Sequence, residues 1–141
     1  VVPVGTAYQD ILDYVGVKGE LGKVVAGGAM MGPAVENLSY PTTKTTSGLI
    51  MLSEATAQPP QVNPCIRCGR CVEYCPMGLE PVEVNQAYAA RDVQELGKLH
   101  ADYCFNCGSC SFVCPAKRPC TQMMGLAKAF YLGEIKKGGN K

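Results

Sequence analysis

The sequence predicts an α+β protein in two parts: a small glycine-rich module of strands and one helix, then a helical module organised by cysteines. Three observations predict it. Residues 1–53 contain no cysteine and alternate short apolar runs with glycines. Residues 54–63 include Gln58-Pro59-Pro60-Gln61 and read as a linker. Residues 64–137 hold all nine cysteines, eight of them in two copies of one pattern.

The first module is expected to open with a short strand at residues 1–4. Thr6 is placed to cap a helix running to Val15, with Ile11, Leu12 and Val15 on its apolar face. Lys23-Val24-Val25-Ala26 reads as a strand that runs into Gly27-Gly28. Residues 33–47, with Pro33, Pro41 and many threonines, read as loop and short strand. Gly48-Leu49-Ile50-Met51-Leu52 reads as a second, buried strand. Gly27-Gly28-Ala29-Met30-Met31-Gly32-Pro33 lacks the Lys-Ser/Thr of a phosphate loop and the G-x-G-x-x-G of a dinucleotide fold. It is read as a turn packed closely on neighbouring backbone.

In the second module, residues 81–90 read as a helix that starts on proline. Residues 92–99 read as another, capped by Asp92. Residues 119–136 read as a third, with Met123, Met124, Leu126, Ala127, Phe130 and Tyr131 as its apolar stripe. Residues 138–141 read as a flexible tail.

The cysteines carry the chemistry. Cys65, Cys68, Cys71 and Cys75, followed by Pro76, spell C-x2-C-x2-C-x3-C-P. Cys104, Cys107, Cys110 and Cys114, followed by Pro115, repeat it. This is the run of bacterial ferredoxins that holds a [4Fe–4S] cluster. Disulfide frameworks have no reason to repeat such a grammar. Zinc usually takes two separated C-x2-C pairs. Two runs therefore predict two clusters and electron transfer. In two-cluster ferredoxins the fourth cysteine of each run serves the other cluster. Applied here, the first cluster takes Cys65, Cys68, Cys71 and Cys114, and the second takes Cys104, Cys107, Cys110 and Cys75. The alternative is that each run holds its own cluster. Cys65 and Cys104 lie 39 positions apart, which leaves room for two helices between the runs and favours a helical module over a compact one with β-hairpins.

His100 is the only histidine, so a centre with two histidine ligands is excluded. It is read as a packing or surface residue. Gly69 and Gly108 follow the second cysteine of each run and let backbone N–H groups approach sulfur. Arg67 and Arg70 flank the first loop where Asn106 and Ser109 stand in the second. If they face the cluster, the first centre has the higher potential. Cys120 is left over and reads as a spare or buried thiol, with a replacement ligand or redox thiol as the sharper alternative. No catalytic acid, base or nucleophile is singled out.

Composition limits the rest. A net charge of +1 gives no basic surface for nucleic acid. No apolar run approaches the length of a membrane span, and no signal peptide is expected. Reduced cysteines imply a reducing, oxygen-poor cytoplasm. The start Val1-Val2-Pro3, without Met, reads as a piece of a longer protein.

Pro64 through Leu79, together with Cys107-Gly108-Ser109-Cys110 and Cys114-Pro115-Ala116-Lys117, resembles RnfC, the C component of the Rnf electron-transport complex. Gly5-Thr6, Asp10-Ile11-Leu12, the segment Gly27 to Pro33, and Thr45-Thr46-Ser47-Gly48 are similar to that family's β-grasp (SLBB) domain. The resemblance implies a β-grasp module at 1–53, a linker at 54–63 and a ferredoxin-like domain with two [4Fe–4S] clusters at 64–137. It also implies FMN and NADH handled by an upstream domain absent from this chain. The implied partners are other subunits of the complex, ferredoxin and flavin-bearing subunits. The implied location is peripheral, on the cytoplasmic side of the bacterial cell membrane. Cobalamin reductases share similar modules and remain a rival, as does a zinc-stabilised interaction module.

Overall fold

The computed structural model describes residues 1–138. The chain divides into two compact units, Val1–Pro59 and Pro60–Lys141. The expected tail at 138–141 falls almost wholly outside the described residues, and Gly138 itself is the last residue of a helix.

In the first unit, helix α1 spans Tyr8–Val15, and strands β1 (Leu21–Ala26) and β2 (Leu49–Ser53) pair antiparallel with Val24 opposite Met51 and Val25 opposite Ile50. Val24 and Val25 are buried, as β-branched residues on a half-covered sheet should be. Val25 also bridges to Ala34, and Val35 N–H donates to Val24 O at 2.8 Å, so the loop after β1 covers its outer edge. Helix α2 is a single turn, Glu54–Ala57, within the segment expected as linker. It lies so close to β1 that a Cβ on Gly22 would sit 2.5 Å from Glu54 Cα. The register slips between Leu21 and Lys23, at that same glycine.

Several expectations change here. Residues 1–4 form no strand. Gly5, at φ +97°, turns the chain, and its N–H donates to Thr42 O at 2.9 Å. That turn sends the Thr6 hydroxyl back to Pro3 O at 2.9 Å, so Thr6 does not cap α1. The cap position falls on Ala7, which has no side-chain acceptor. Tyr8 and Leu12, one helical turn apart, form the buried face, while Val15 is exposed. Strand β2 is only half-buried, with Met51 exposed.

In the second unit, α3 (Arg70–Glu73) and α6 (Ser109–Phe112) are single turns within the two cysteine runs. Between them come α4 (Pro81–Ala89), α5 (Val93–Lys98) and a 3-10 turn, Ala101–Tyr103. The last helix, α7, spans Cys120–Gly138 and packs along α4. Pro81 starts α4, where a missing N–H costs nothing. Asp92 caps α5 as expected: its Oδ1 accepts from Glu95 N–H at 2.9 Å. Leu79, Val84, Ala87, Leu96, Ala101, Met124 and Ala127 form one core. The inward face of α7 runs Cys120, Met124, Ala127, a spacing of three to four. Leu126, expected in that stripe, is 52% exposed because it stands two residues on from Met124.

Candidate metal centre

The two runs build the same loop twice. Arg67 (φ 51°) and Asn106 (φ 56°) occupy the left-handed region at equivalent positions. That turn aims Arg67 N–H at Cys65 Sγ and Asn106 N–H at Cys104 Sγ, both at 3.4 Å. Asparagine tolerates this conformation, whereas arginine is strained by it. Gly69 (φ 78°) and Gly108 (φ 89°) then start α3 and α6, which carry Cys71 and Cys110. Cys75 and Cys114 follow at the ends of these turns. Leu79 N–H donates to Cys75 Sγ at 3.3 Å.

Two cavities lie among these thiols. One, of about 390 Å³, is lined by Cys65, Cys68, Cys71 and Cys114. The other, of about 20 Å³, is lined by Cys75, Cys104, Cys107 and Cys110. Each therefore collects three thiols from one run and the fourth from the other. No group of three or more His, Cys, Asp or Glu among the described residues converges as a single metal ion requires. The thiols ring a space instead of meeting at a point. Cys65 and Cys68 are exposed and Cys110 is buried, so the first set is the more open.

The surroundings differ as well. The first cavity is also lined by Arg67, Arg70 and Arg118, and by Glu80 and Glu83. With the Gln86 amide turned over, its oxygen accepts from Arg67 Nη2 at 3.3 Å and its nitrogen donates to Glu83 Oε2 at 3.1 Å. Beside the second set, Lys128 Nζ donates to Cys104 O at 2.7 Å. Thr121 Oγ1 lies 3.4 Å from Cys110 Sγ. Burial pushes the thiols of Cys71 and Cys110 above the usual cysteine value, and neighbouring cysteine charge adds to it. Cys120 is 3% exposed and lines the first cavity. Burial, then negative charge at Cys114, Cys110 and Cys71, pushes its pKa up to about 12.

The residues fit an iron–sulfur cube on two counts. Each set offers four thiols, the donors such clusters take. Backbone N–H groups already point at sulfur. Asn85 Oδ1, in the lining of the first cavity, is buried without a hydrogen-bond partner among the described residues. That oxygen is an acceptor and calls for a donor, which the sulfurs of a cluster do not supply. The second space is only about a water's worth.

Sequence reasoning missed the role of α4, whose Val82, Asn85, Gln86 and Ala89 face the first cavity. Their helical spacing marks one face, but nothing in it says what that face meets. His100 stacks on Tyr103 at 5.1 Å between ring centroids and joins neither cavity. Gly32 packs as the turn reading expects: a Cβ there would lie 2.6 Å from Val25 Cγ1.

A chain with such a thiol arrangement is an iron–sulfur protein, and residues 64–117 match the 4Fe-4S dicluster domain family. Longer relatives narrow this. The chain is 38% identical over 99 residues to the C component of the ion-translocating oxidoreductase complex of Rhodobacter capsulatus, covering 70% of this chain and 19% of that one. It is 42% identical over 81 residues to the C component of the proton-translocating ferredoxin:NAD(+) oxidoreductase complex of Clostridium ljungdahlii, covering 57% and 18%. It is 34% identical over 93 residues to the Na(+)-translocating counterpart from Acetobacterium woodii, covering 65% and 21%. The chain spans about a fifth of the length of these curated relatives. It is a homologue of that part of RnfC. The 99-residue match is longer than the whole second unit, so the likeness reaches into the first.

Proposed function

We propose that this chain is the C-terminal part of an RnfC protein and relays electrons through two [4Fe–4S] clusters. The observation that carries this is how the eight cysteines of the two runs divide between two cavities, four to each, with Cys75 and Cys114 exchanged. Cys65, Cys68, Cys71 and Cys114 would hold one cluster, and Cys104, Cys107, Cys110 and Cys75 the other. When bound, each cluster supplies a site that takes up and gives back one electron.

The chain's own residues do the remaining work. Thiolates ligate, the crossed cysteines tie the two loops into one folding unit, and the N–H groups of Arg67, Asn106 and Leu79 stabilise charge on sulfur. Leu79, Leu96, Met124 and their neighbours keep water from the inner side.

The first unit is proposed to be the β-grasp (SLBB) module, serving as a docking surface for other subunits. The boundaries proposed from sequence, 1–53, 54–63 and 64–137, are kept. Handling of NADH and FMN is assigned to parts of the larger protein outside this chain. Ferredoxin and flavin-bearing subunits are the proposed electron partners. No helix among the described residues is long and apolar enough to cross a membrane. Attachment to the cytoplasmic face of the cell membrane is proposed to run through partner subunits.

Iron and acid-labile sulfide per chain after anaerobic reconstitution, with EPR of the reduced sample, test the reading. About eight of each, with interacting reduced signals, is the expected result. Colourless protein with about two zincs and no sulfide would overturn it.

A further inference from the structure

Five thiols, not four, line the first cavity. Besides Cys65, Cys68, Cys71 and Cys114 there is Cys120, the first residue of α7. It is 3% exposed, and its thiol lies near that of Cys114 on the same cavity wall. The two come from different elements. Cys114 leaves the end of the α6 turn, and Cys120 is held at the start of a long helix. Cys120 N–H is fastened to Arg118 O at 2.8 Å, and the next residue, Thr121, donates its N–H to Ser111 Oγ at 2.8 Å. Cys120 is thus fixed beside Cys114, facing the same space. A purely packing cysteine needs no place on a cavity shared with four other thiols.

We propose that Cys120 is a second claimant for the fourth corner of the first cluster, taking the iron when Cys114 does not hold it. This rests on the two-cluster reading above. The exchange balances without a redox partner. The Cys120 S–H bond breaks, its proton goes to solvent, and an iron–sulfur bond forms. Cys114, where displaced, takes up a proton from solvent. No electron is transferred. The consequence is a cluster that resists losing its corner iron, the step that turns a four-iron cube into a three-iron one.

The test compares Cys114→Ala with Cys114→Ala/Cys120→Ala in the full chain, reconstituted anaerobically. The expected result for the single variant is a four-iron first centre with altered EPR. The double variant is expected to give a three-iron signal, with iron falling from about eight to about seven per chain, or to about four if the whole cluster leaves. Single and double variants that match each other would overturn the proposal. The second cluster's EPR signal and the helical circular dichroism report whether each variant has folded. Should Cys114→Ala not fold, ferricyanide oxidation of Cys120→Ala against the parent chain decides. Three-iron signal growing severalfold faster in Cys120→Ala supports the proposal, and equal rates overturn it. A parent chain that takes up no iron sinks the two-cluster reading itself, which keeps the two failures apart.

Discussion

Arg67 and Asn106 stand at the same place in two copies of one loop, and both accept a left-handed backbone that lets an N–H reach sulfur. What differs is charge. Arg67, Arg70 and Arg118 line the first cavity, partly offset by Glu80 and Glu83. Positive charge favours the reduced, more negative state. Arg70→Gln is therefore expected to lower the first centre's potential by about 20–40 mV, the one-electron equivalent of roughly 0.5–1 kcal/mol. EPR-monitored potentiometry reads this, and an unmoved pair of potentials would refute it. Cys120 gives a second prediction. Burial raises its pKa from 9.0 to about 12, so near neutral pH the folded thiol stays protonated and unreactive. Iodoacetamide should leave Cys120 unmodified in the folded protein and modify it after unfolding, as peptide mass mapping shows. A pKa raised in the fold contributes stability that is whole below pH 9 and is lost as pH climbs toward 12.

At the scale of elements, α4, α5 and α7 form the frame that holds both loops. Leu96 is fully buried among Val84, Ala101, Met124 and Ala127. Leu96→Ala should cost about 2–5 kcal/mol, and faster thermal bleaching of the visible iron–sulfur absorbance would report it. Asp92→Ala removes the acceptor that binds Glu95 N–H at 2.9 Å, at about 1 kcal/mol. The smaller effect of the cap against the core is itself the check, because both variants report on the same helix. In the first unit, Gly22 admits no Cβ, since Glu54 Cα would be 2.5 Å away. That contact is backbone, so nothing flexible can yield. Gly22→Ala should loosen α2 from β1 and lower the first unit's melting temperature, with about 1–3 kcal/mol lost.

For the whole molecule, the two units answer differently to iron. The second has one modest core of seven buried residues, three of them alanine, and within its cysteine runs the only helical structure is a single turn in each. Ligation supplies much of the folding energy in metal domains of this size. Chelating the iron should therefore erase most helical circular dichroism while leaving the β1–β2 pair of the first unit. Native-like helical signal in the stripped protein would contradict this.

The sequence alone carried the cysteine grammar, the thiol chemistry and the short-range signals. Pro81 at a helix start, Asp92 as a cap and the strand at Val24-Val25 are all written in neighbouring residues, and the structure has them. Where an element's role depends on distant chain, the sequence was silent or misleading. Thr6 reads as a cap, but the turn at Gly5 directs its hydroxyl to Pro3. Leu126 reads as core, but α4 approaches α7 along the line of Met124 and Ala127. Nothing in the spacing of Asn85 and Gln86 reveals that they face thiols, or that Cys120 shares a cavity with Cys114. Local patterns record which face of an element is apolar or which residues can bind iron. Only packing between elements far apart in sequence decides what each face meets, because that depends on how loops close and helices cross.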